Sequence, residues 1–212
     1  MPGLFSRGLA AAILAFLPPS LALADTVGLS LSADSAEFAY NTGGEYTNPV
    51  DWGFTAYYNR VEEEDKQITS DYLLTLDLET SLEGDSSSRL LFSLGGDLYL
   101  LSLDRIPYKD ARIKTDYNAG LSLGGKLGYL LTTAVPSLLY VGGYVSPNIV
   151  NTGRVEHLRR ILVMFEVMLS PAAILQFGYH NYYVDLDKRY EHFEDPHKTF
   201  ENRVVAGIKL RF

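Results

Sequence analysis

From Val50 onward the chain alternates hydrophobic and polar residues with period two, the pattern of β-strands that turn one face toward an apolar environment. In "SDYLLTLDLETSL", Tyr72, Leu74, Leu76 and Leu78 share one parity, and Leu73, Thr75, Asp77 and Glu79 the other. In "SRLLFSLGGDLYLL", Leu90, Phe92, Leu94, Leu98 and Leu100 alternate with Arg89, Ser93, Gly95, Asp97 and Tyr99. "DYNAGLSLGGKLGYLL" sets Tyr117, Ala119, Leu121, Leu123, Leu127, Tyr129 and Leu131 against Asp116, Asn118, Gly120, Ser122, Gly124, Lys126 and Gly128. The pattern predicts eight strands, over 50–61, 68–83, 88–103, 113–131, 137–146, 157–169, 173–186 and 200–212.

Before them, Val27, Leu29 and Leu31 are odd-numbered apolar positions, whereas Ala36, Phe38 and Tyr40 are even-numbered. A tight turn at Ala33-Asp34-Ser35 accounts for the change of phase and makes two short strands, ten in all. The alternative is eight strands with an N-terminal hairpin folded elsewhere. The segment 154–169 also fits a helix, through Val155, Leu158, Leu162, Phe165 and Leu169. Its β-branched content and the Ser170-Pro171 turn favour a strand with Ile161, Val163, Phe165, Val167 and Leu169 on one face and Arg160 and Glu166 on the other.

Alternation alone also suits a soluble sandwich. Three features point instead to a transmembrane antiparallel up-and-down β-barrel. Several strands exceed the usual length in soluble sheets and match a tilted span of about 9–11 residues. Short connections at Gly84-Asp85, Thr132–Pro136 and Ser170-Pro171 alternate with long ones at 104–112, 147–156 and 187–199. The sequence ends on the amphipathic "NRVVAGIKLRF". Fifteen Tyr and ten Phe against one Trp, many near strand ends, suit interfacial girdles.

The N-terminus reads as a cleaved secretory leader over residues 1–24. Arg7 is followed by the apolar run Leu9–Leu17, then Pro18-Pro19 and the small-x-small Ala22-Leu23-Ala24. The barrel would then occupy 25–212. A net charge of −8 argues against nucleic-acid binding, and the absence of Cys removes disulfides and thiolate metal sites.

Val205, Gly207, Leu210 and Phe212 resemble the C-terminal signature by which the outer-membrane barrel-assembly machinery recognises its substrates, although Val205 stands at a normally polar position. The layout also resembles the YfaZ family of outer-membrane proteins. The similar parts are "VGLSLS" near the N-terminus, "LSLGGKLGYLLTTAVPSLLYVGGYVSPNIV" (121–150), "FGYHNYYVDLD" (177–187) and "VVAGIKLRF" (204–212). His180 departs from that family, where Arg is expected. The resemblance implies a barrel in the Gram-negative outer membrane and brings no catalytic residue and no cofactor.

The polar parity carries charges of both signs. Arg89, Lys126, Arg160, Lys209 and Arg211 face Asp71, Asp77, Glu79, Asp97, Asp116 and Glu166, with His180 on the same side. Charges inside a narrow barrel must be compensated, because burying one alone is costly. The expected network pairs Lys126, Arg160, Lys209 and Arg211 with Asp77, Glu79, Asp97 and Glu166. The loop "YEHFEDPHK" reads as a solvated acidic loop, with divalent-metal binding as the alternative. No catalytic constellation is recognised: the residue two after His180 is Tyr182, where a lipid A deacylase would carry Ser. The expectation is a small monomeric outer-membrane barrel with a structural or surface-interaction role, in contact with lipid and lipopolysaccharide. A narrow pore is the alternative, and an outer-membrane lipid- or peptide-processing enzyme a third.

Overall fold

An alternating strand is stable only if both backbone edges are paired, and a closed barrel satisfies every edge at once. The computed structural model describes residues 26–42, 50–62, 68–82, 89–105, 114–132, 134–153, 155–186 and 197–212. The expected leader and the loop holding His192 lie outside them. Ten antiparallel strands follow one another around a closed barrel. They are β1 (Thr26–Leu31), β2 (Ser35–Asn41), β3 (Val50–Glu62), β4 (Ile68–Leu82), β5 (Leu90–Arg105), β6 (Lys114–Leu131), β7 (Ser137–Ser146), β8 (Val155–Ser170), β9 (Ala173–Leu186) and β10 (His197–Arg211).

The segment 26–41 is the hairpin that its change of phase predicts. Ser32 N–H donates to the Ser35 carbonyl at 3.0 Å, and their hydroxyls meet at 2.6 Å. The turn puts Leu29 opposite Phe38 on the same face. β1 also pairs with β10, from Thr26↔Arg211 to Leu31↔Ala206, which closes the barrel. The segment open to a helical reading is strand β8, held on both edges: Ile161 stands opposite Gly143 of β7 and Asn181 of β9. β10 begins at His197, inside the stretch 187–199 read from sequence as loop, and β8 begins at Val155 rather than at 157. A 3-10 turn over Asn148–Val150 occupies the connection from β7 to β8.

Chain direction sorts the connections. The start of β1 and the end of β10 share one rim, the terminus rim, with the turn 171–172 and the strand ends at Asn41, Val50, Leu82, Leu90, Leu131 and Ser137. The opposite rim carries the β1–β2 turn and the strand ends at Glu62, Ile68, Arg105, Lys114, Ser146, Val155, Leu186 and His197.

The apolar parity faces outward. Leu78, Leu98, Leu100 and Leu123 are each about 60% exposed, and the same face carries Trp52, Phe92, Val163, Phe177 and Leu210. On β5 the apolar positions run from Leu90 to Leu100, and the same parity then continues with Ser102 and Asp104. With a rise of about 3.3 Å per residue and a tilt near 40°, that belt is about 25 Å tall. Inside, little room remains between ten strands, and Gly on the polar parity makes some. A Cβ at Gly124 would overlap the Gly143 carbonyl oxygen and lie 2.7 Å from the Tyr144 ring.

Candidate functional site: the lumen

The inward residues form two layers. Toward the rim opposite the termini, Tyr57, Leu73, Tyr99, Leu101, Leu103, Val155, Leu158, Tyr182, Val184 and Leu186 pack into one apolar cluster. Toward the terminus rim, charged residues and tyrosines share the interior with a second, smaller apolar cluster of Leu138, Tyr140, Met164 and Val205.

Register creates the electrostatic problem that this lower layer solves. Asp77 stands directly opposite Asp97 across β4 and β5, and Asp51 opposite Glu79 across β3 and β4. Like charges directly opposite destabilise a sheet. Arg160 crosses from β8 to form an ion pair with Asp97, and its guanidinium also lies 3.8 Å from Asp77. Asp77 accepts further hydrogen bonds from the Thr75 hydroxyl at 2.8 Å and the Thr55 hydroxyl at 3.3 Å. Lys126 crosses from β6 to Glu79 at 2.6 Å, and Ser93 and Tyr144 also donate to Glu79. Lys209 of β10 pairs with Glu166 of β8 at 2.6 Å, and Glu166 accepts from the Tyr140 hydroxyl at 3.3 Å. The cations also face rings: Arg160 lies 5.0 Å from the Tyr144 centroid and Lys209 5.9 Å from that of Tyr140.

His180 is buried in the same layer. It stacks on Tyr182, and its Nδ1 lies 3.6 Å from Glu37 Oε2, which accepts from the Tyr182 hydroxyl at 3.1 Å. Its Nε2 meets Met164 Sδ at 3.2 Å. Gln176 Nε2 donates to Ser30 Oγ. The side chain spans the intervening strand β10 at Gly207, which is opposite both Gln176 and Ser30. A cavity of about 120 Å³ remains here, lined by charged and polar groups including Glu37, Asp77, Lys126 and Gln176.

Two of the charges read as inward lie toward the rims. Arg89 is exposed one residue before β5, at the terminus rim, rather than buried with the crossed ion pairs. Asp71 is buried at the opposite end, where its Oδ1 accepts the Asp104 backbone N–H at 3.1 Å. Asp116 and Arg211 keep inward parity near the two rims, both half-buried. The four terminal signature residues divide between faces. Val205 is buried inward against Leu138, Tyr140 and Met164, and Gly207 also faces inward, whereas Leu210 and Phe212 are exposed.

Sequence reasoning missed Glu37, Gln176 and the tyrosines Tyr140, Tyr144 and Tyr182 as lumen partners, and it missed the apolar layer. The signal was present. Leu73, Leu101, Leu103 and Val184 sit on the polar parity, and all of them fall near the ends of their strands at one rim. Among the described residues, no group of three or more His, Asp or Glu could hold a metal ion.

Fold and lumen together define a small closed β-barrel with an apolar exterior and a charged interior layer. No family model matches the chain, and no curated protein does. Among solved structures, it is similar to the outer membrane channel DcaP of Acinetobacter baumannii, at 12% identity and a TM-score of 0.35, over 87% of this chain and 54% of that one. The chain thus spans about half the length of that channel.

Proposed function

We propose that this chain is an integral outer-membrane β-barrel of the YfaZ type with a structural or surface-interaction role, and that its lumen is closed. The carrying observation is the contrast between faces: outward leucines and aromatics about half exposed on every side, over an interior of crossed ion pairs and an apolar layer. An exterior of that kind is stable in lipid and a liability in water. On this reading a leader over residues 1–24 is removed, the assembly machinery reads Val205, Gly207, Leu210 and Phe212, and the monomer sits among lipid and lipopolysaccharide. No catalytic role is assigned.

The test has two parts. The protein should fractionate with outer membranes and migrate faster on gels when unheated than when boiled. Purified barrel in planar bilayers should give no steady conductance. The second reading, a narrow pore, draws on the polar cavity of about 120 Å³. Discrete, lasting channels from the unmodified protein would put that reading first, and recovery in a soluble periplasmic fraction would sink both.

A further inference from the structure

We propose that the lumen is a one-ended vestibule: water enters it from the terminus rim as far as the crossed ion pairs, and the apolar layer beyond them is the seal against ions. This rests on the closed lumen proposed above and names the part of the chain that closes it. Three observations converge. The first is the extent of the cavity. It runs from Asn41, Asp51 and Ser81, near the strand ends at the terminus rim, to His180 and Tyr182. Among the described residues, Tyr182 alone both lines this cavity and belongs to the larger apolar cluster, so the cavity stops where that cluster begins. The second is a fall in exposure along the same direction. The side chains of Asp77 and Lys126 are 25% and 26% exposed, whereas Leu73, Leu101, Leu103, Leu158 and Val184 are at most 2% exposed. The third is contact straight across the lumen. Tyr57 of β3 meets Tyr182 of β9 edge-on, with ring centroids 5.2 Å apart, although the two strands are far from neighbours in the ring. Where β7 ends at Ser146, the Tyr99 hydroxyl donates to Asn151 Oδ1 at 2.8 Å and closes that flank.

An ion in the charged layer can exchange part of its hydration shell for carboxylates, ammonium groups and hydroxyls. In the apolar layer it finds nothing to replace that shell, and a narrow apolar constriction excludes continuous water. Polar residues stand at the same level, since Asn118 is opposite Leu101 and Asp71 opposite Asn59. All three are at most 4% exposed, so they open no wetted path through the layer. The two layers therefore divide the work. The ion pairs neutralise carboxylates that register sets face to face, and the leucines and tyrosines beyond them stop the ions.

The chain has no Cys, so a single introduced thiol reports on one position. The reagent is a trimethylammonium methanethiosulfonate, applied to folded, detergent-solubilised, full-length barrel. Thr55→Cys and Ser81→Cys, on the vestibule wall, should be labelled, and Leu101→Cys and Leu158→Cys should stay unlabelled until the barrel is boiled. In planar bilayers, Leu101→Ser with Leu158→Ser should give lasting channels that the parent lacks, and Glu79→Gln with Lys126→Met should stay silent. Unheated gel mobility shows which variants have folded. If the double Ser variant fails to fold, labelling of the vestibule and layer thiols still decides the matter. Labelling of a layer thiol in folded barrel, no labelling at both vestibule positions, channels from the charge-pair variant, or silence of a folded double Ser variant would each overturn the proposal while leaving a silent parent, and so a closed lumen, intact. Lasting channels from the parent would instead reject the closed lumen, and the seal with it.

Discussion

At the scale of single residues, the lumen depends on pairs more than on charges. Lys209 and Glu166 are both nearly buried, at 7% and 4% exposure, so removing one partner strands the other. Glu166→Gln is expected to lower stability by up to about 3–5 kcal/mol, the range for a broken buried pair, and by less where the cavity admits water. Urea titrations followed by the fluorescence of the single Trp52 measure it. The double variant Glu166→Leu with Lys209→Met should recover most of that loss, because neither charge remains. A double variant no more stable than Glu166→Gln would show that the pair contributes little beyond packing. The charged members of this layer could be read from sequence, since their parity opposed the apolar one. Their partners could not. Arg160 reaches Asp97 across the interior, from a strand three places away in the ring.

At the scale of elements, close strand approach is set by where Gly falls. Gly124 and Gly143 are both glycines of paired strands, β6 and β7, yet they differ. A side chain at Gly124 meets backbone and the Tyr144 ring, whereas one at Gly143 meets nothing within 4 Å. Gly124→Val should therefore abolish folding or markedly reduce the yield of heat-modifiable barrel, and Gly143→Ala should fold normally, with an effect of about 1 kcal/mol or less. Equal folding of both would contradict the close packing described for β6 and β7. The element most open to misreading was β8. Its helical spacing was real, but no helix could pair with β7 and β9 at once, and unpaired edges there would have opened the barrel. Sequence placed its start two residues late because a register shift between Val155 and His157 changes the inward parity, so Val155 faces inward out of phase with Leu158 and Arg160.

At the scale of the whole molecule, the belt and the termini carry the expectations. Leu76 lies mid-belt on β4 and is half exposed, while Tyr72 lies nearer the rim. On the membrane reading, Leu76→Arg should destabilise folding into lipid vesicles by about 2–4 kcal/mol and Tyr72→Arg by about 0–1 kcal/mol. A depth-independent effect would argue against a bilayer around the belt. Phe212→Asp should reduce assembly in cells because Phe212 is exposed on the outer face and is free to be recognised. Normal outer-membrane levels of that variant would reject a role in recognition.

The sequence by itself determined most of the strands and their outward faces and favoured a count of ten over eight, because strand periodicity is a local property that register does not alter; pairing of β1 with β10 decided the count. It also showed that charges would face inward. The tertiary structure decided everything that depends on which strands meet: the opposition of Asp77 to Asp97, the crossing of Lys126 to Glu79, and the ion pair of Arg160 with Asp97. It also decided that the inward side is layered. Leu73, Leu101, Leu158 and Val184 lie on four strands, and only closure of the ring brings them into one cluster. Gln176 and Ser30 belong to the same category. They are 146 positions apart in the chain, and closure through β1 and β10 lets the amide of one donate to the hydroxyl of the other.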